Sequence, residues 1–107
     1  MGFAIEHLDT AQLPLWLGQL KKLKARDATE RFAWAVEIVG ADVHVVRGER
    51  RLKTDVAQRW AIFWLLHNCG WSYPQIGRAM NRDHTTICYG VNRVKDALDK
   101  QNMRGAA

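Results

Sequence analysis

At 107 residues the chain fits one compact domain and excludes two with separate cores. Apolar residues make up 48% of it and charged residues 25%, with five Trp, three Phe and two Tyr, so a packed globule is expected and a disordered tail is not. Sixteen Lys and Arg against eleven Asp and Glu leave a formal charge of +5, which favours a polyanionic partner, nucleic acid first.

The longest apolar run, Trp60 to Leu66, is far short of the roughly 20 residues that cross a bilayer, and no signal peptide opens the chain. No membrane association is expected, and the protein is read as soluble, cytoplasmic and associated with the nucleoid. Cys69 and Cys88 are too few for a disulfide scaffold and are read as free thiols. A phosphate-cradling loop and a serine nucleophile elbow are both missing from the sequence, so no nucleotide, no cofactor and no enzymatic activity are expected.

The elements follow in order. Leu13, Leu17 and Leu20, with Trp16 and Leu23, fit the apolar stripe of a helix that ends in Lys21, Lys22 and Lys24. Asp27 with Glu30 resembles a capping box, and Phe32, Ala35, Val36 and Val39 recur at helical spacing until Gly40. A short helix fits between Asp42 as cap and Gly48 as stop, although Val43, Val45 and Val46 are β-branched. Residues 47–53 read as a basic, exposed connector. Thr54 or Asp55 can cap the next helix, which is apolar all round and is expected at the centre, stopping before Gly70.

Ser72-Tyr73-Pro74-Gln75 combines a capping Ser, a Gln at the third helical position and a Pro in the first turn, which predicts a short helix to about Met80. Asn81-Arg82 supplies a turn. Asp83 can cap a last helix whose buried face reads Ile87, Val91, Val94 and Leu98, with Gly90 beside it allowing close approach of a second helix. A short helix, a tight turn and a longer helix with small polar residues in its first turn form a helix-turn-helix, whose second helix enters a DNA major groove N-terminus first. Asp accepts from cytosine N4, Thr methyls pack on the thymine methyl, and His bonds base edges or phosphate, so Asp83, His84, Thr85 and Thr86 are the candidate base readers.

Ile76-Gly77-Arg78 followed by Arg82-Asp83-His84-Thr85-Thr86-Ile87 resembles the signature of the C-terminal DNA-binding domain, domain IV, of the bacterial replication initiator DnaA. Val36, Val45-Val46, Arg50 and the Trp60–Leu66 helix fall where that domain has its first helix, paired aliphatics, basic loop and long helix, so the likeness covers about residues 30 to 100. The resemblance implies an all-α, Trp-repressor-like domain in a bacterium or its phage that binds double-stranded DNA at short A·T-rich boxes and modulates replication initiation. It places Ser72, Tyr73, Pro74 and Gln75 at phosphates, and makes Arg50, Arg51, Lys53, Arg59, Arg82 and Arg93 candidates for phosphate or groove contacts. Two features depart from the family. Val56-Ala57-Gln58-Arg59 replaces its Arg-Pro-Arg-Gln run, which carries a minor-groove arginine, and Asn81 stands alone where two glycines are common.

The likeness leaves an N-terminal extension, 1–28, before a domain at 29–101 and a tail at 102–107. Within the extension, Gln12-Leu13-Pro14-Leu15-Trp16 is similar to the peptide by which bacterial replication proteins dock on the DNA polymerase sliding clamp, with Leu15 and Trp16 as anchors and Gln12 and Leu13 beside them. The ordinary helix above is the alternative. His67, Cys69, His84 and Cys88 have spacing too poor for a closed zinc site, and no metal is expected. Two further readings remain for the domain: a transcription regulator at unrelated operators, and a protein-interaction module that no longer binds DNA.

Overall fold

A computed structural model describes residues 6–106. Among the described residues the helices in order are α1 (Gln12–Lys22), α2 (Ala28–Val39), α3 (Val43–Arg47), α4 (Lys53–Asn68), α5 (Tyr73–Met80) and α6 (His84–Ala106). The described chain is all-helical, as its periodicity predicts, and α6 continues past residue 101.

The ends of α2 and α3 follow from local chemistry. The Asp27 carboxylate accepts the Glu30 N–H at 2.9 Å, whereas Glu30 turns to the backbone N–H of Arg26, so the expected box is only half closed. Gly40, at φ 79°, adopts the left-handed turn that ends α2, and the Ala41 N–H reaches Val36 O at 3.0 Å. Asp42 caps α3 by accepting from His44 and Val45. The cap overrides the weak helix preference of the valines.

Helix α4 is the axis of the fold and touches every other helix. Its Ala61, Ile62, Phe63, Leu65 and Leu66 are each at most 1% exposed, as a helix without a polar face requires. It starts at Lys53, ahead of both expected caps. Leu52 stands at the cap position without a side-chain bond, and Asp55 is instead buried and paired with Arg50. Gly90 of α6 meets α4 closely: a Cβ there would lie 2.8 Å from ring atoms of both Phe63 and Trp60.

Helix α1 shares this core. Leu13 and Leu20 are 0% exposed, and the helix packs on α2 and α4. Of the two readings of Gln12, Leu13, Leu15 and Trp16, a clamp-docking peptide or an ordinary helix, the fold shows the helix. The segment is the first turn of a packed helix, Leu13 is buried, Trp16 lies half-buried against the core, and Leu15 is the one apolar member left at the surface. Pro14 fits because first-turn N–H groups have no intrahelical acceptor.

Candidate nucleic-acid interface

The turn between α5 and α6 is fixed by backbone bonds and by a missing side chain. Asn81 takes the left-handed conformation, φ 57° and ψ 48°, and ends α5. The N–H of Arg82 then donates to Gly77 O at 2.8 Å. A Cβ on Gly77 would lie 2.5 Å from the Arg82 carbonyl oxygen, so only glycine lets the turn close this tightly over α5. Asn tolerates the left-handed region better than most residues with a side chain.

The first turn of α6 is exposed. His84, Thr85 and Thr86 face solvent while Ile87, 0% exposed, anchors the turn beneath them. Asp83 precedes it as the cap: its Oδ1 accepts the Thr85 N–H at 3.1 Å and lies 3.1 Å from His84 Nδ1. The Thr85 N–H bond is the main cause holding the Asp83 carboxyl below its ordinary pKa. The Thr85 side chain and the His84 backbone add to the hydrogen bonding of the same carboxylate.

Arginines of the predicted basic surface divide into two groups. Arg59, expected at phosphate, is 4% exposed and donates to Val46 O at 3.2 Å, Val45 O at 2.7 Å and Gly48 O at 3.1 Å. Arg82, also expected at phosphate, is half-buried and donates to the carbonyls of Arg47, Met80 and Asn81 at 3.4, 3.2 and 3.1 Å, and to that of Gly48. Both are corrections with one cause. The ends of helices leave carbonyls without intrahelical donors, and the guanidiniums satisfy them, Arg59 at the end of α3 and Arg82 at the ends of both α3 and α5. Burial, and then the charge of Arg82, lowers the Arg59 pKa.

Arg50 is exposed but holds Asp55 in a two-bond ion pair, at 2.6 and 3.0 Å, whose hydrogen bond is the first cause depressing the Asp55 carboxyl. Arg51 is exposed, with no carboxylate partner among the described residues. It lines a cleft of about 790 Å³ between the 48–52 loop and α6, shared with Thr86 and Tyr89. Lys53 is exposed at the start of α4. Arg93 is half-buried on α6, and its Nε is shielded without a hydrogen-bond partner.

At the start of α5 the capping box is complete. Ser72 N–H donates to Gln75 Oε1 at 2.8 Å, and Gln75 N–H to Ser72 Oγ at 3.3 Å. Pro74 is exposed, while Tyr73 is half-buried and stacks on His67 with ring centroids 4.6 Å apart. Two exposed cations escaped the sequence reading as site residues. Arg78 lies one turn beyond Pro74, in the open cleft of about 640 Å³ that also holds Asn81, Asp83 and His84. Its helical offset from Pro74 could have placed it there. Arg47 was read only as part of a connector. Exposed Tyr89, edge-on to Trp60 at 6.0 Å, continues the solvent face of α6 beyond Thr86.

A short capped helix, a locked turn and a longer helix with an exposed polar first turn define a helix-turn-helix DNA-binding domain. Residues 36–94, more than half of the chain, match the family described as the bacterial dnaA protein helix-turn-helix, and the chain belongs to that family. Comparison with curated proteins and with solved structures found no match. Membership implies binding to double-stranded DNA, and the family is one of DNA-binding domains rather than enzymes. No described helix is long and apolar enough to cross a membrane.

Proposed function

We propose that the chain binds duplex DNA sequence-specifically at short A·T-rich boxes of the initiator type, and that by occupying them it modulates replication initiation. Thr85 and Thr86 supply methyls for thymine, His84 bonds a base edge or a phosphate, and Asp83, exposed as it caps the helix, accepts from a cytosine amino group. The α5 start, at Ser72 to Gln75, the exposed Arg51 and Lys53 and the half-buried Arg93 serve phosphates, with Arg50 contributing beside its ion pair with Asp55. One observation carries this reading: a polar, exposed turn of α6 seated on buried Ile87 and oriented by the Gly77 contact.

Fluorescence anisotropy on a box duplex and on a scrambled duplex of equal length tests it. Wild type should prefer the box by 10³-fold or more, on the order of specific DNA-binding domains generally, with affinity falling steeply with salt. A steep salt slope without preference would remove base readout from the proposal. Tight binding to a selected operator unlike the box would replace it with a transcription regulator, and no binding at low salt would leave an interaction module.

A further inference from the structure

Beside the helix-turn-helix lies a groove of about 360 Å³ lined by the start of α2, Arg47 at the end of α3, Trp71 and α5. Phe32 and Trp71, both half-buried, and Ala79 form apolar walls. Gln75, Arg78 and Arg47 carry its polar groups. Both arginine side chains are exposed, and neither has a carboxylate partner among the described residues. The acidic groups at the start of α2 are engaged: Asp27 caps Glu30, and Glu30 pairs with Arg26 at 2.9 Å. Arg78 also lines the cleft next to His84, so the groove is continuous with the face that carries the base readers.

The charge distribution gives this groove its meaning. Near the 48–52 loop three arginines are engaged within the protein, exposed Arg50 with Asp55 and Arg59 and Arg82 with the carbonyls around Gly48, and Arg51 alone of the loop arginines has no carboxylate partner among the described residues. Both guanidiniums of the groove, Arg47 and Arg78, are on exposed residues. We infer that the groove holds the sugar–phosphate backbone flanking the box, Arg47 and Arg78 each neutralising a phosphate while Phe32 and Trp71 cover the deoxyribose. The footprint is thereby extended past the helix-turn-helix along the groove between α2 and α5. This rests on the DNA-binding reading above and adds to it a contact outside the recognised bases.

Two duplexes centred on one box test the inference: a short one ending at the box edges, and a long one with about half a helical turn, roughly five base pairs, added at each side. On the long duplex Arg47→Ala should weaken binding about fivefold to tenfold near 0.1 M salt and reduce the slope of log K against log salt by about 0.9, the share of one phosphate. Arg47→Lys should restore most of both. The difference between wild type and Arg47→Ala should vanish on the short duplex. Equal affinity and slope for Arg47→Ala and wild type on the long duplex would overturn the inference and leave the groove to an acidic protein segment. An equal loss on both lengths would also overturn it, since Arg47 would then act within the box. In either case, box preference that survives in wild type and is lost in Thr85→Ala would leave the proposed function standing; absence of binding to any duplex would remove both.

Discussion

Without the Arg59 side chain, the carbonyls of Val45, Val46 and Gly48 would each lose a donor in or near the core. Arg59→Ala should therefore destabilise the fold by about 1.5–3 kcal/mol, the range of charge-assisted bonds to backbone. Arg51→Ala, at an exposed and unpaired position, should leave the melting temperature unchanged and weaken all duplexes alike. Thermal melts set beside anisotropy check the pair, and the opposite pattern would restore Arg59 to the DNA surface. For the base readers, His84→Ala and Thr85→Ala should each cost about 1–3 kcal/mol on a good box and little on scrambled DNA. Residue type was legible here and destination was not. The family-like segment 82–86 carries local chemistry that travels with it, whereas which guanidinium turns inward depends on where α3 ends and which carbonyls it strands. No spacing in the sequence reports that.

At the scale of elements, capping residues decide the boundaries, and they were readable wherever the cap was a side chain. Ser72 with Gln75 fixed the start of α5 and Asp42 that of α3. Helix α4 has no side-chain cap, so Thr54 and Asp55 misled: the carboxylate that resembled a cap is Arg50's partner. The turn offers two sharp tests. Gly77→Ala brings a methyl to 2.5 Å from Arg82 O and should cost about 1–3 kcal/mol while disturbing the angle of α6, so box preference should fall with stability. Asn81→Gly relieves a left-handed residue and should be neutral or slightly stabilising, which melting of the two variants will show. Acid should act on the same region. Asp83 and Asp55 are both held below their ordinary 3.8, so the stability they contribute is complete above that value and is lost as pH falls through their lower folded-state values. Asp83→Asn should flatten that acid limb of a melting-temperature profile, and an unchanged limb would assign it to Asp55 alone.

Across the whole molecule, α1 forms one cooperative unit with the helices that follow. Leu13 and Leu20 are sealed against α2 and α4, and Thr10, just before α1, bonds Gln101 of α6. The helical stripe of α1 was present in the sequence, but five residues shared with a docking peptide competed with it, and only packing separates the two. A peptide that docks in a pocket presents its anchors. Here one leucine is presented and its neighbour is buried, so engaging a clamp would require α1 to leave the core and expose Leu13 to water. The cost is measurable. Leu13→Ala, at 0% exposure, should lose about 2–5 kcal/mol, lowering the melting temperature by about 8 °C or more in a domain of this size. Leu15→Ala, 60% exposed, should change it by no more than about 0.5 kcal/mol. DNA affinity per folded molecule should be unaltered in both, because α1 lies outside the helix-turn-helix. Equal melting of the two variants with wild type would mean that α1 contributes nothing to the core, and would return residues 12–16 to the surface as a peptide free to dock.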